Sequence, residues 1–214
     1  MHPMAALTLS LCMAYAAALY GAGEVVQRRR TGSRGWARAA TSTERIANRI
    51  VFAAWLLDLL GPALVLGGAI EPVFDDAAAQ AAGALVGGLS LTVAVGAQRT
   101  MGAAWRTGID PGRPSELVTT GLFALVRNPV YTTMIGLSLG VALLVPTPAG
   151  ALGVTVALVG LEIQTRLVEE PHLRALHGRP YERYVARVGR FLPGIGRSPK
   201  CAATNERSPS SGGS

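Results

Sequence analysis

The chain has 214 residues, 50% of them hydrophobic and only 15% charged, with a formal charge of +7 and a mean hydropathy of +0.34. A soluble domain carries about a quarter charged residues, and here the apolar residues fall in long blocks separated by arginine-rich segments, the pattern of a membrane protein. The basic residues sit between those blocks and not along one soluble face, which argues against nucleic acid as a partner.

Five apolar spans are predicted, at 4–23, 50–70, 77–97, 129–145 and 149–168. About 20 apolar residues cross a bilayer, so the first three are long enough and the last two are short or polar at one end. The first resembles a signal peptide in its small residues, but Arg28, Arg29 and Arg30 follow the apolar run instead of preceding it, so a retained helix is expected. Two cysteines, Cys12 within this span and Cys201 near the end, imply no disulfide framework.

The loop after the first span carries Arg28, Arg29, Arg30, Arg34, Arg38, Arg45 and Arg49. The loop after the third carries Arg99, Arg106, Arg113 and Arg127, and the segment after the fifth runs from Arg174 to Lys200. The connections "EPVFDD" and "PTPAG" carry no positive charge. By the positive-inside rule, the N-terminus is expected outside and the C-terminus in the cytoplasm. A multi-pass protein of a bacterial inner membrane is the expected localisation. "GALVG" (83–87) and "GLSLG" (136–140) are small-xxx-small patterns that permit close helix approach, although glycine is also simply common in membrane helices. Asp58, alone within the second span, is expected either to pair with a loop arginine or to face a cavity.

The fourth and fifth spans are joined by "PTPAG", a tight turn by its proline and glycine. Asn128 and Arg166 each lie nineteen residues from Thr147, so an antiparallel hairpin places them at the same depth. Pro129 suits a first helical turn, and Asn128 is a strong candidate N-cap. A helix start there also offers free N–H groups to a carboxylate or phosphate. On the other helix, "EIQTRLVEEP" (162–171) follows only 13 uninterrupted apolar residues, about 20 Å of helix. Glu162, Gln164 and Arg166 therefore fall within the cytoplasmic third of the membrane or line a cavity there. Groups at that depth are paired or functional. Glu162, Arg166 and Glu170 follow one another at i,i+4, so a purely structural ladder of ion pairs is the alternative.

Pro171 is expected to bend or restart the helix, and Gly178 to cap it. Tyr181, Tyr184, Val185 and Val188 then recur at helical spacing, with Arg183, Arg187 and Arg190 at other positions. That is the pattern of an interfacial helix, in which the tyrosines serve equally as belt aromatics. His172 and His177 have no third ligand at useful spacing, so no metal is expected. Residues 198–214, small and polar, are expected to be a disordered tail.

"LVTTGLFALVRNPVY", a short hairpin, and "RLVEEPHLRALHGRPYERYVARVGRFLP" together resemble the isoprenylcysteine carboxyl methyltransferase and phospholipid methyltransferase superfamily. The resemblance covers about 101–193, and "MGAAWRTGID" (101–110) is similar to its bacterial branch. It implies an all-α integral membrane enzyme using S-adenosyl-L-methionine. Residues 1–98 would form an N-terminal unit of three membrane helices and 99–197 the catalytic region. By the same resemblance Leu117, Val118, Phe123, Asn128, Pro129, Tyr131 and Glu169 fall where the family contacts its cofactor. Arg166 falls near an arginine that the family directs at the substrate. Asn128 replaces the usual histidine, and an amide there hydrogen-bonds but does not titrate.

The chemistry agrees with these assignments. Glu169 or Glu170 would favour the cationic cofactor, and Arg127 or the helix start its carboxylate. Methyl transfer is helped mainly by holding two reactants aligned in a dry site. A carboxylate acceptor needs only an orienting cation, such as Arg166. An amine would need Glu162 or Glu170 to take its proton. The expected activity is methylation of a lipophilic small molecule or lipid, with carboxyl O-methylation of an isoprenoid- or lipid-like acid preferred. A phospholipid-type N-methyltransferase and a non-enzymatic sensor or transporter subunit are the alternatives.

Overall fold

The structure, a computed structural model, describes residues 3–22, 24–25, 28–29, 39, 41–101 and 117–197. Within them the chain is helical, and its nearest approach to a sheet is one parallel bridge between Val126 and Gly189. Helix α1 (Pro3–Ala16) runs into a π-helical turn (Ala17–Ala22); α2 is Ser42–Leu66 and α3 is Ala77–Met101. A 3-10 turn (Gly121–Ala124) leads to α4 (Pro129–Leu144) and α5 (Pro148–Ile163). A second π-helical turn (Gln164–Glu169), α6 (Glu170–His177) and α7 (Arg179–Val185) complete the order. The "MGAAWRTGID" segment after Met101 and the tail 198–214 lie outside the described residues.

Among the described residues, four helical runs are long and apolar enough to cross a membrane: Pro3–Gly21, Ser42–Leu66, Ala77–Met101 and Pro148–His177. These are the dimensions of an integral membrane protein. The runs correspond to four of the five expected spans; the remaining one, α4, is a shorter apolar helix of 16 residues. Two spans also extend beyond their expected limits. The second begins at Ser42 because the Thr41 hydroxyl accepts from the Glu44 N–H (3.1 Å), an N-cap ahead of the apolar run. The fifth continues to His177 because the π-helical turn carries the helix past its polar residues without a break. Pro171 lies in the first turn of α6 inside this continuous run, where it does not interrupt the helix, and Gly178 ends it at φ 52°, its N–H donating to the Arg174 carbonyl.

The "PTPAG" hairpin is present. Thr147 caps α5, its hydroxyl accepting from the Gly150 N–H at 3.1 Å, and Pro148 occupies the first turn. Small residues set the packing. A Cβ on Gly83 would lie 2.8 Å from the Gly140 carbonyl oxygen, and one on Gly140 would lie 2.9 Å from that of Gly83. The two small-xxx-small patterns therefore form the α3–α4 contact, where backbones approach too closely for a side chain.

Helix α2 packs antiparallel on α5 in the same manner. Gly61 lies against Thr147, Gly153 against Asp58, and Gly160 against Ile50 and Val51. Asp58, 3% exposed, forms no ion pair with an arginine among the described residues; its Oδ2 accepts from Ser138 at 2.5 Å and its Oδ1 has no hydrogen-bond partner. It thereby links α2 to α4 across the face of α5. On the other flank Tyr15, Leu19, Ala94 and Leu137 form a core cluster with Tyr20, Trp55, Val130 and Met134 around it. The Tyr15 hydroxyl and Thr133 share a 2.7 Å hydrogen bond that joins α1 to α4.

Candidate functional site

The segment before α4 is held by backbone pairing with the chain that follows α7. The Arg127 N–H donates to the Gly189 carbonyl (2.8 Å) and the Asn128 N–H to the Arg190 carbonyl (3.1 Å). Thr132 Oγ1 donates to the Phe191 carbonyl at 2.8 Å, fixing the first turn of α4 to the same strip. Pro129 occupies the first turn of α4 as expected. Asn128 stands at the N-cap position, but its side chain caps nothing; its amide reaches the Arg190 carbonyl at 3.4 Å instead. At φ −126° and ψ 64° its backbone is shaped by the paired strip, which takes precedence over the cap.

Upstream, Phe123 is buried in the 3-10 turn, and its carbonyl accepts from the Tyr184 hydroxyl at 2.6 Å. Leu117 packs on the cluster of Tyr181, Tyr184, Val185 and Val188. Both tyrosines are therefore buried in protein and not spread along an interface, and burial pushes the Tyr181 hydroxyl up to about 12. Leu117 and Tyr184 also line an open cavity of about 590 Å³ with Thr119, Pro180, Arg183 and Arg187. Val118 is half-buried beside it.

Glu170 organises the next layer. Its Oε1 accepts from Arg127 Nη2 (2.9 Å) and Arg190 Nε (2.8 Å), and its Oε2 accepts from Arg174 Nη2 (3.3 Å). Arg127 also donates to the carbonyls of Val185 (3.3 Å) and Gly196 (3.0 Å). Burial holds the Arg127 guanidinium below its ordinary range, with Glu170 opposing that shift. Burial acts on Arg190 in the same sense, but Glu170 and Glu162 outweigh it and hold Arg190 above its ordinary range. Arg166 is on the outer face of its turn, 60% exposed and ion-paired with Glu162. The anticipated rung from Arg166 to Glu170 does not form, because Glu170 turns inward to the other arginines.

The two polar stretches of the hairpin meet at one contact: the Tyr131 hydroxyl donates a hydrogen bond to Glu169. Equal spacing about Thr147 puts Asn128 level with Arg166. Helical side chains lean toward their own N-terminus, so the groups that touch at that level come from residues one turn further along, Tyr131 and Glu169. Gln164, 4% exposed, opens the same π-helical turn that Glu169 closes. Its Oε1 and the hydroxyl of the fully buried Thr165 have no hydrogen-bond partner. Polar atoms left unsatisfied in a buried site are costly unless a ligand completes them, so this turn has the character of a binding wall.

Two participants escaped the reading of the sequence. Arg190 was placed on the outer face of an interfacial helix, but α7 ends at Val185 and the chain turns back, carrying Arg190 inside. Gln164 was noted only as a polar residue at depth. Among the described residues, no group of His, Cys, Asp and Glu could hold a metal ion.

Comparison with known proteins finds that residues 78–179 match the phospholipid methyltransferase family. No curated protein matches the chain. The match runs from α3 through the hairpin to α6 and the start of α7, the elements that carry the Tyr131–Glu169 contact and the Glu170 centre. Residues 78–179 are thus similar to a family in the superfamily that unites phospholipid methyltransferases with isoprenylcysteine carboxyl methyltransferases.

Proposed function

We propose that the chain is an S-adenosyl-L-methionine-dependent methyltransferase of the inner membrane that acts at the membrane–cytoplasm boundary on a lipophilic acceptor. The observation that carries this reading is the Tyr131–Glu169 hydrogen bond, which joins the start of α4 to the π-helical turn within the family-matched region. When bound, the cofactor supplies an electrophilic methyl group. The residues around it do the positioning. Glu169 offers a carboxylate to a cationic group, Tyr131 fixes that carboxylate, and Gln164 Oε1 offers an unused acceptor. Leu117 lines the 590 Å³ cavity, and by the family resemblance Val118, Phe123, Asn128 and Pro129 would contact the cofactor with it.

Carboxyl O-methylation would use Arg166 as the orienting cation, released from Glu162 to grip the acceptor in a bidentate fork. A second reading, methylation of an amine, is favoured by one observation: Arg127 and Arg190 are both committed to Glu170, while Glu169 stands within the field of Glu44 and Glu170. A site of that sign suits a positively charged acceptor. Incubation of purified protein in lipid nanodiscs with methyl-labelled S-adenosyl-L-methionine and a membrane extract tests both. A base-labile product releasing methanol indicates an ester, and a base-stable methylamine indicates an amine. Absence of cofactor binding by calorimetry, with Glu169→Gln changing nothing, would sink both.

A further inference from the structure

We propose that the loop 191–196, which follows α7, is a membrane-docking knob. It carries Leu192 and Ile195 into the acyl region of the leaflet at which α4 begins, and so sets the depth of the Glu170 centre. The inference needs the protein to sit in a bilayer, and it stands whether or not the site transfers methyl groups.

The loop reads FLPGIG and holds no charged or hydrogen-bonding side chain. Leu192 is 54% exposed and Ile195 63%, and Leu125, one residue before the Val126–Gly189 bridge, is 59% exposed. Exposed apolar groups gathered at one place mark a surface that meets something apolar. The position of the loop says what that is. Thr132 Oγ1 donates to the Phe191 carbonyl at 2.8 Å, so the loop lies beside the first turn of α4. At about 1.5 Å per residue, roughly 22 Å of helix separates Thr132 from the hairpin turn. That is less than the hydrocarbon thickness of about 30 Å, so the loop is level with the apolar part of the bilayer. Leu139 on α4 and Leu152 and Val159 on α5 are exposed in the same way, and lipid covers them. The knob continues that apolar surface beyond the start of α4.

An irregular segment enters apolar surroundings only if its backbone polar groups find partners within the protein. This one is built that way. The Gly189 and Arg190 carbonyls accept from the N–H groups of Arg127 and Asn128, at 2.8 and 3.1 Å. The Leu192 carbonyl accepts from the Ile195 N–H (3.1 Å), the Ile195 carbonyl from the Arg190 N–H (2.7 Å), and the Gly196 carbonyl from Arg127 Nη2 (3.0 Å). The loop closes over Gly189, where a Cβ would run into the Leu192 and Ile195 carbonyl oxygens. Gly194 and Gly196 turn it at φ 79° and 76°, a backbone region that glycine alone adopts freely. Because Arg127 is tied to Gly196 and Arg190 to Glu170, the depth of the knob is also the depth of the charged centre. The interfacial role expected of the segment after Gly178 thus passes from the tyrosines of α7, which are buried, to this loop.

The test is the solvent that Leu192 and Ile195 meet in the full chain in lipid nanodiscs. Leu192→Cys and Ile195→Cys, made separately with Cys12→Ala and Cys201→Ser, carry a nitroxide label read by electron paramagnetic resonance. Collision with oxygen, which concentrates among acyl chains, is compared with collision with a nickel chelate, which stays in water. Leu139→Cys, exposed on α4, gives the lipid reference, and Glu182→Cys, exposed on α7, the aqueous one. Both knob positions should shift toward oxygen and approach the Leu139 ratio. A ratio equal to that at Glu182 overturns the proposal. Shielding from both reagents overturns it too, since protein and not lipid would then cover the patch. Hydroxyl-radical footprinting of the unmutated chain reads the same surface without a substitution. Leu192 and Ile195 should be protected in nanodiscs relative to Leu176, exposed on α6, and modification equal to that of Leu176 overturns the proposal. Neither readout requires cofactor or turnover, so failure of the methyltransferase reading leaves the result unaffected.

Discussion

Arg127 and Glu170 form a buried ion pair at 2.9 Å, with side chains only 2% and 5% exposed, that locks the segment before α4 to the first turn of α6. Arg190 shares the same carboxylate oxygen, so one glutamate holds two buried guanidinium groups. Removing one partner of such a pair leaves uncompensated buried charge. Glu170→Gln should therefore destabilise the protein by about 3–5 kcal/mol. The measurement is a thermal melt in detergent followed by tryptophan fluorescence, and an unchanged midpoint would refute the structural role of Glu170.

Glu169 is next to Glu170 in sequence but faces a different partner, and its substitution should have a different signature. Tyr131→Phe removes only the hydroxyl that orients the Glu169 carboxylate. Cofactor affinity should fall by about tenfold, the order of one charge-assisted hydrogen bond, with a melting midpoint close to wild type. Calorimetric titration with S-adenosylhomocysteine checks it. A variant that binds as tightly as wild type would separate Tyr131 from the site.

Much of this arrangement was legible in the sequence, and the limits have physical causes. Proline and glycine around Thr147 identify the hairpin, and equal spacing about it identifies the level at which the two polar stretches meet. Which atoms touch depends on the lean of side chains and on a π-helical turn at Gln164–Glu169 that no residue pattern announces. Arg190 could not be placed because helical spacing says nothing about where a helix ends, and α7 stops five residues short of it. Glu44 was read as loop because it precedes the apolar run. Its capping residue Thr41 was the signal available, since a threonine three residues before a glutamate marks a helix start.

The α3–α4 contact makes a sharper claim about the glycine patterns than their frequency in membrane helices supports. A Cβ on Gly83 would approach the Gly140 carbonyl oxygen and the Leu144 nitrogen, both at 2.8 Å, and these are backbone atoms that have no rotamer to escape into. Gly83→Ala should cost about 1–3 kcal/mol or more by overpacking. Gly88, on the same helix with open space beyond its Cα, is the control: Gly88→Ala should be neutral or slightly stabilising. Equal melts for the two variants would mean that the helices do not approach as closely as described.

Asp58 and Gly153 give a test of coupling within the membrane-spanning core. A Cβ on Gly153 would fall 2.6 Å from Asp58 Oδ1 and 3.5 Å from the Leu57 Cβ, so Gly153→Ala presses on a carboxylate already held by Ser138. That variant should be destabilised by about 1–3 kcal/mol. Asp58→Ala removes the obstructing oxygen, so the double variant should be more stable than the sum of the two single effects predicts. Residues in direct contact show interaction energies of about 0.5–3 kcal/mol in such cycles. Ser138→Ala, which leaves the carboxylate without its donor, should be destabilising alone and should lose most of its effect once Asp58 is alanine. Strict additivity in both cycles would mean that Asp58 does not link α2, α4 and α5 at this level.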